Sequence, residues 1–220
     1  MIIKGSEEEK LLEAIRYENV EEVKTILNNS TENKKILELN EKDEFGWYPL
    51  LIAIHNNNIE IVQLLIKYAN QHQIILELNE KNKYGQYPLS EATYNNNDEI
   101  VKFLIEYANQ HQIILDLNEK NKYGFYPLDW AISNNDTEIV QLLIEHANLH
   151  QIILELNEKD KDGYYPLIWA IRKNNIEIVQ LLIEHANQHQ IILELNEKTN
   201  YGHYPLLEAI NKNNNEMVIN

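Results

Sequence analysis

Apolar residues form two helical patterns in residues 40–78, separated by a run of three asparagines at 56–58. Leu50, Ala53 and Ile54 stand at i, i+3 and i+4, which predicts a short first helix with one buried face. A second helix is predicted from Ile59 onward. Its apolar residues fill two adjacent stripes, Val62, Leu65, Ile66 and Ala69 on one and Ile61, Leu64 and Tyr68 on the other. So broad an arc indicates a helix packed between neighbours. The asparagines predict the connector, because asparagine tolerates left-handed backbone and is a good helix N-cap.

The same pattern recurs along the chain with a period of 39 residues. One position of the period is always proline and another is always glycine: Pro49, Pro88, Pro127, Pro166 and Pro205, and Gly46, Gly85, Gly124, Gly163 and Gly202. Glycine permits a turn with positive φ, and proline suits the first turn of a helix. A fixed period of this size predicts an all-α array of stacked helix-turn-helix units.

Residues 71–82, which follow the second helix, allow two interpretations. If the segment is helical, Ile74, Ile75 and Leu78 share a face and extend the core by a turn or a third short helix. If the segment is extended, it forms a brief strand. Periodicity over five residues does not separate the two, and we favour the helix.

The chain reads G-x-Y-P-L-x-x-A-I-x-N-N-x-x-E-I-V-x-L-L-I, and L-N-E-K-D-x-x-G joins one unit to the next. This sequence resembles the ankyrin repeat, with its pattern G-x-T-P-L-H-x-A-A-x-x-G-H-x-E-I-V-x-L-L-L, over residues 7–220. The resemblance implies an ankyrin-type solenoid of about five stacked repeats plus a partial one at the C-terminal end. It also implies antiparallel helix pairs with projecting loops, in a curved array that binds partner proteins through the loops and the concave helix face.

The resemblance divides the chain into repeats of one domain, residues 1–220. A capping repeat at 7–39 precedes internal repeats at 40–78, 79–117, 118–156 and 157–195, and a truncated repeat follows at 196–220. The capping repeat lacks the glycine and proline, and Ser6 followed by Glu9 predicts a capping box at its first helix. Because residues 217–220 end the chain inside a second helix, we expect the chain to be a fragment of a longer protein.

Three features depart from the family pattern. Tyrosine replaces the threonine of T-P-L-H, and the histidine becomes Leu51, Ser90, Asp129, Ile168 or Leu207. We therefore expect tyrosine packing between units to replace the hydrogen bonds that the family makes at this turn. Ala69 and its equivalents replace the glycine that ends the second helix, so this helix continues or ends differently. Each unit also exceeds the roughly 33 residues of an ankyrin repeat by about six.

Positions that vary between copies cluster in the loops and on the first helix. The loop positions carry Phe45, Tyr84 and Tyr123 before the glycine and Trp47, Phe125 and Tyr164 after it. Two first-helix positions on one face carry Trp130 and Trp169, and His55, Tyr94 and Arg172. Aromatic residues and arginine are enriched in binding hot spots, so these residues predict a partner-binding groove on the concave face. The alternative is structural: the loop aromatics pack on neighbouring units, and the tryptophans fill the space between first helices.

Composition excludes several classes of function. The net charge of −16, from 35 acidic and 19 basic residues, opposes binding to nucleic acid or to anionic membranes. The chain has no cysteine, which excludes disulfides and thiolate chemistry and fits a cytoplasmic location. No apolar run reaches the roughly 18–20 residues that a membrane span requires. We expect a monomer that carries no cofactor.

A column of histidines repeats with the same period: His72, His111, His150 and His189. His146 with His150, and His185 with His189, form i, i+4 pairs that can share a metal on a helix. Neither pair has a third ligand at suitable spacing, so we favour a repeated hydrogen bond over a metal site. Repeated carboxylates such as Glu60 mark helix starts, and no nucleophile elbow, phosphate loop or dinucleotide fingerprint is present, so catalysis within these residues is not expected.

The sequence therefore predicts a non-catalytic scaffold that binds a protein partner through its loops and concave face. In one alternative, the array is the targeting or substrate-recruiting portion of a larger enzyme whose catalytic domain lies beyond Asn220. In another, Trp130 and Trp169 form a shelf for a small ligand such as a sugar.

Overall fold

The computed structural model of the chain describes residues 5–121 and 124–212, and all regular secondary structure in these ranges is α-helical. The chain divides into two compact units, unit 1 (Met1–Leu115) and unit 2 (Asp116–Asn220). The helices described in unit 1 are α1 (Glu7–Arg16), α2 (Val20–Glu32), α3 (Pro49–His55), α4 (Ile59–His72), α5 (Pro88–Tyr94) and α6 (Asp98–His111). Those described in unit 2 are α7 (Pro127–Ser133), α8 (Thr137–Leu149), α9 (Pro166–Arg172), α10 (Ile176–Gln188) and α11 (Pro205–Asn211). The predicted all-α fold is confirmed.

Each short helix from α3 onward begins at the repeated proline. Before α3, Tyr48 has extended backbone, and Pro49 takes the first helical position, where its missing N–H costs nothing. Gly46 has φ +84°, and a Cβ there would lie 2.9 Å from the Cα of Asn82. Both the turn and the close approach of the next loop therefore require glycine at this position. The two loops are joined directly, because the Lys83 N–H donates to the Phe45 carbonyl at 2.9 Å.

The asparagine run connects the short helix to the long one as predicted. Asn57 adopts left-handed backbone with φ +57°. Asn58 is the N-cap of α4, and its side chain accepts a hydrogen bond from the Ile61 N–H at 3.1 Å. Asn97, Asp136 and Asn175 cap the next three long helices in the same way.

The helix pairs stack through the predicted apolar stripes. In unit 1, α1 packs on α3 and α3 on α5, while α2 packs on α4 and α4 on α6. In unit 2, α7 packs on α9 and α9 on α11, while α8 packs on α10. Leu50, Ala53 and Ile54 of α3 are fully buried, as are Val62 and Leu65 of α4. Burial of this apolar surface, worth roughly 25 cal/mol per Å², is the main source of stability.

Residues 74–77, for which we favoured a helix, form neither a helix nor a strand. The helix α4 continues past Ala69 to His72 and ends where Gln73 adopts left-handed backbone, with the Ile74 N–H donating to the Ala69 carbonyl at 2.9 Å. A helix closed in this way cannot continue. Leu76 is buried whereas Ile75 is 52% exposed, an alternation typical of extended backbone. The helix prediction is therefore wrong for this segment.

Asparagine side chains take the place of a partner strand for this extended segment. Asn40 donates from Nδ2 to the Ile75 carbonyl at 2.7 Å, and its Oδ1 accepts from the Glu77 N–H at 3.1 Å. We call this pair of bonds the asparagine clamp. In unit 2 the clamp recurs twice, from Asn118 to Ile153 and Glu155 and from Asn157 to Ile192 and Glu194. The clamp satisfies backbone groups that a helix or a sheet would otherwise pair.

Four of the five tyrosines that replace the family's threonine are buried, as expected for packing between repeats, whereas Tyr204 is only partly buried. Tyr48 is fully buried, and its hydroxyl donates to the Glu80 carbonyl in the following loop at 3.1 Å. Burial raises the pKa of Tyr48 well above its ordinary value. Tyr165 of unit 2 is buried in the same way and donates to the Glu194 carbonyl. A hydrogen bond is therefore kept at this turn, although a tyrosine hydroxyl makes it in place of the family's threonine and histidine.

At the N-terminal end, Ser6 caps α1 by accepting from the Glu9 N–H at 3.2 Å, which confirms half of the predicted capping box. The Glu9 carboxylate accepts from the Gly5 N–H and not from Ser6. The predicted truncation at 217–220 lies outside the described residues.

Candidate functional site

The loops that carry the variable aromatics are held by a side chain at their base. In the first loop, Asp43 Oδ1 accepts hydrogen bonds from the backbone N–H groups of Phe45 and Trp47, both at 2.8 Å. Asn82, Asp160 and Thr199 make the corresponding bonds in later loops. Because carboxylate, amide and hydroxyl oxygens all accept N–H groups, the residue type can change while the turn is kept. The loop aromatics therefore project from an ordered backbone.

In unit 1 the predicted residues meet beside α3. The rings of Trp47 and His55 are 4.9 Å apart between centroids, and Tyr84 lies 6.4 Å from both Phe45 and Trp47. His55 Nδ1 is 2.7 Å from a carboxylate oxygen of Glu91 on α5. Glu91 stands at a first-helix position that we expected to face the groove, yet only 5% of its surface is exposed. That expectation is wrong for Glu91, because the contact with His55 covers it.

A groove of about 740 Å³ opens between α1, the first loop and α3 in unit 1. Three of the predicted binding residues, Phe45, Trp47 and His55, line this groove. Its other lining residues are Glu9, Leu12, Glu13, Arg16, Asp43, Glu44, Ile52 and Asn56. Phe45 remains 44% exposed at the rim. The groove therefore combines an aromatic wall, an apolar floor and several carboxylates.

In unit 2 the predicted aromatics pair within each repeat. Phe125 and Trp130 lie 4.8 Å apart between ring centroids, as do Tyr164 and Trp169. The Arg172 guanidinium lies over both rings of the second pair, 4.7 Å from the centroid of Tyr164 and 5.5 Å from that of Trp169. Stacking of this kind holds an arginine over an aromatic surface.

Exposure of the predicted residues differs between positions. Tyr94 is 53% exposed at the end of α5, and Trp130, Trp169 and Arg172 are partly exposed. Tyr164 is only 7% exposed, so the expectation that its loop position is exposed is wrong for this residue. Its ring is covered because Arg172 stacks on it and also donates to its hydroxyl. Tyr123 lies outside the described residues.

A buried carboxyl group lies beneath this part of unit 2. Asp129 accepts from the Tyr126 N–H at 2.8 Å and is 8% exposed. Burial raises the pKa of Asp129 to about 7, and the charge of Asp160 adds to the increase, while the Tyr126 hydrogen bond opposes it. In the loop before α9, Asp160 Oδ2 accepts from Trp169 Nε1 at 3.1 Å. These carboxyl groups therefore position the loop and the tryptophan.

The histidine column makes a repeated hydrogen bond to the preceding long helix. His72 Nε2 bonds Thr31 Oγ1 at 3.0 Å. His111 Nε2 bonds Asn70 Oδ1 at 2.9 Å, and His189 Nε2 bonds Asn148 Oδ1 at 3.1 Å. In the described ranges, no three or more His, Cys, Asp or Glu side chains are placed to hold a metal ion.

Two contributors to these surfaces were missed at the level of sequence. Asp43 orders the first loop and also pairs with Arg16 of α1, although its position in the period varies between Asp, Asn and Thr. Only side chains that can accept a hydrogen bond occur at this position, and this pattern indicates a role in ordering the loop. Glu91 occupies the same variable position of the first helix as Trp130 and Trp169, and nothing in the local sequence indicates that its carboxylate is buried against His55.

Comparisons with known proteins agree with this architecture. A family model described as ankyrin repeats (3 copies) matches residues 11–113, 71–153 and 146–219. The crystal structure of EF0377, an ankyrin repeat protein, is similar to this chain with a TM-score of 0.66 and 29% sequence identity, over 95% of this chain and 94% of that chain. No curated protein matches the chain significantly. The chain belongs to the ankyrin repeat family.

Ankyrin repeats are in general protein–protein interaction modules, and repeat arrays of this kind use their extended surfaces for binding. Within residues 5–121 and 124–212, every helix is too short or too polar to cross a lipid bilayer.

Proposed function

We propose that this chain is a non-catalytic scaffold that binds a partner protein through its loops and the first-helix face beside them. The observation that carries the proposal is the groove of unit 1, which Phe45, Trp47 and His55 line together. These residues come from loop and helix positions that vary widely between repeats, while the buried stripes beneath them are nearly constant, with Thr93 in the place of Ile54 as an exception. A surface built in this way can change its partner without changing the fold.

The aromatic pairs of unit 2 support the same function. Phe125 with Trp130, and Tyr164 with Trp169, are held in place by ring contacts, and Asp160 fixes the indole of Trp169. Side chains that are already ordered lose little conformational entropy when a partner binds. The partly exposed tryptophans therefore suit a binding surface that is formed before the partner arrives.

Two titratable groups of unit 2 with displaced pKa values, Asp129 and His185, support a non-catalytic role, because each has a structural task. Asp129 accepts from the backbone of Tyr126 at the start of α7. His185 is fully buried and bonded to Leu154 and Asn148. An acid–base catalyst must instead reach a substrate.

The proposal can be tested by affinity capture with the purified full chain, followed by direct binding measurements on the captured protein. We expect Trp130→Ala combined with Trp169→Ala to weaken binding of that protein by at least about tenfold, since hot-spot truncations often cost more than 1 kcal/mol each. The matched control is Leu149→Ala combined with Ile192→Ala, which removes two exposed apolar side chains away from the first helices. Equal binding by both variants, with unchanged helical circular dichroism, would contradict the proposed surface.

A further inference from the structure

The groove of unit 1 has an apolar floor and an aromatic wall. Leu12 of α1 and Ile52 of α3 are buried and form the floor, while Trp47 and Phe45 stand beside them. Both rings are held by the hydrogen bonds from their backbone to Asp43. The volume of about 740 Å³ is enough for one or two side chains of a partner.

Carboxylates dominate the charge around this groove. Glu9, Glu13, Asp43 and Glu44 line it, against a single guanidinium, that of Arg16. Arg16 pairs with Asp43, and so does not neutralise the others. In the described part of the chain, the side chains of Glu13 and Glu44 make no hydrogen bond or ion pair, and both are exposed. The groove therefore offers two open carboxylates beside two aromatic rings.

Unit 2 shows which group fits such a surface. Residues 164, 169 and 172 are three periods after residues 47, 52 and 55, so Tyr164 corresponds to Trp47 and Arg172 corresponds to His55. In unit 2 the Arg172 guanidinium lies over the aromatic ring at the loop position. In unit 1 the corresponding residue is a histidine that turns to Glu91. In unit 2 the chain's own Arg172 therefore covers the aromatic ring of the loop. In unit 1 the corresponding helix residue, His55, supplies no guanidinium to the groove.

We propose that the groove of unit 1 binds an arginine side chain from a basic segment of a partner protein. The guanidinium stacks on Trp47 and Phe45, and Glu13 and Glu44 accept its N–H groups. Arginine suits this surface better than lysine does, because its planar group both stacks on aromatic rings and donates to carboxylates. This inference rests on the proposed function, since it names the chemistry of the partner at one of the proposed surfaces.

The test uses the ¹⁵N-labelled full chain and the probe peptide acetyl-Gly-Arg-Gly-Arg-Gly-amide. The three tryptophans give three indole N–H signals, which single Trp→Phe variants assign. We expect the Trp47 signal to shift in a saturable way and the Trp130 and Trp169 signals to remain in place. The same peptide with citrulline for arginine keeps the shape but removes the charge, and we expect it to bind at least about tenfold more weakly.

Two charge-matched variants separate the groove from general attraction to an acidic protein. Glu13→Gln combined with Glu44→Gln should weaken peptide binding about tenfold at low salt, as two partly screened charge contacts allow. Glu155→Gln combined with Glu194→Gln removes the same charge from two exposed positions of unit 2 and should change the dissociation constant less than about twofold. Circular dichroism checks that both variants remain folded.

Each of the following results would overturn the inference: no saturable shift at Trp47, equal weakening by the two double variants, equal binding of the citrulline peptide, or equally tight binding of free arginine. The last result would indicate a small-molecule site. If the peptide fails to bind Trp47 while a captured protein still depends on Trp130 and Trp169, the chemistry of the groove is wrong and the proposed function stands. If the peptide binds as expected but partner capture does not depend on those tryptophans, the chemistry of the groove stands and the proposed binding surface of unit 2 is wrong.

Discussion

Tyr68 and Tyr107 in unit 1 occupy the same position of the 39-residue period as His146 and His185 in unit 2. The Tyr68 hydroxyl accepts from the Leu37 N–H at 3.0 Å, and the Tyr107 hydroxyl accepts from the Leu76 N–H at 3.1 Å. In unit 2, His185 Nε2 faces the Leu154 N–H at 3.4 Å. A phenol and an imidazole thus anchor the same extended segment, so the two units share a fold but differ in titratable chemistry.

The difference is one of charge state. His185 Nε2 must lack a proton to accept from Leu154, so Nδ1 carries the proton and donates to Asn148 Oδ1 at 2.7 Å. Burial lowers the pKa of His185 to about 4, and the nearby His189 contributes to this decrease. Burial likewise lowers the pKa of His146 to about 4, with His150 adding to the effect. In unit 1, Tyr68 and Tyr107 keep these hydrogen bonds in mild acid, because a phenol remains neutral at that pH.

The tryptophans allow each unit to be followed separately. Trp47 is in unit 1, whereas Trp130 and Trp169 are in unit 2. Fluorescence of a Trp47→Phe variant therefore reports on unit 2, and fluorescence of Trp130→Phe combined with Trp169→Phe reports on unit 1. Each substitution predicted below is made in the tryptophan variant whose fluorescence reports on the unit that carries the substitution.

The largest effect is expected from Tyr68→Phe in unit 1. The change removes the acceptor of the buried Leu37 N–H and the partner of Ser30 Oγ, which lies 2.7 Å from the hydroxyl. We expect the free energy of unfolding to fall by about 2–3 kcal/mol, because a buried N–H is left unpaired. Urea unfolding at pH 7 measures this loss. His185→Phe should cost less, since its bond to Leu154 is longer, and an equal or larger loss there would contradict the comparison.

Acid should destabilise unit 2 more than unit 1. Because the folded pKa of about 4 lies below the ordinary value of 6.5, the unfolded chain binds more protons between these values. The contribution of the two histidines is therefore complete above pH 6.5 and is lost as the pH falls toward 4. We expect a loss of at least about 1.4 kcal/mol, the equivalent of one pKa unit. His146→Phe combined with His185→Phe should remove this dependence, and unfolding at a series of pH values would show whether it does.

Asp129→Asn should stabilise unit 2 in alkali by about 1 kcal/mol, since a charged carboxylate is no longer buried. The folded pKa of about 7 lies above the ordinary value of 3.8, so the destabilisation by Asp129 grows as the pH rises between these values and is complete above pH 7. As the pH falls, protonation of Asp129 stabilises unit 2, whereas protonation of the histidines destabilises it. Asp129→Asn should therefore also make the stability of unit 2 fall more steeply in acid. Urea midpoints at pH 8 and pH 4 check the prediction, and an equal shift at both would contradict it.

The smallest effect is expected from His146→Phe at pH 7.5. Neither ring nitrogen of His146 has a hydrogen-bond partner among the described residues, although the side chain is buried. Replacing two unpaired polar atoms with an apolar ring should raise the free energy of unfolding by about 0.5–1 kcal/mol. His185→Phe, where a hydrogen bond is lost, should have the opposite sign. Thermal unfolding of both variants is the measurement, and a matching sign would contradict this assignment of contacts.

The parts of the fold that depend on single residue types could be predicted from the sequence. Gly46, Pro49 and Asn57 each restrict or extend the φ angle by themselves, and the structure places each as expected. Residues 74–77 could not be predicted in this way, because their backbone is held by Asn40 at the far end of the same repeat and by Tyr107 of the next repeat. Two signals were present, an invariant asparagine in every L-N-E-K and a polar side chain inside an apolar arc.

For the candidate site, residue types could be predicted but their contacts could not. The spacing placed Arg172 and Trp169 on one face, and the structure brings both to the ring of Tyr164. The burial of Glu91 depends on His55 in the preceding repeat, 36 residues earlier, and no local pattern reports it. The partner-binding role of these residues stays a prediction.

The asparagine clamp also bears on how such a chain can change its length. Asn40 bonds residues 35 and 37 positions further on, so the amide at the start of a repeat is paired with the backbone near the end of the same repeat. Loss or gain of whole 39-residue units leaves every amide opposite an equivalent backbone segment, whereas a change that is not a multiple of 39 residues does not. Unequal recombination between the matching DNA segments would therefore yield shorter or longer proteins that still fold, and the number of repeats is open to selection.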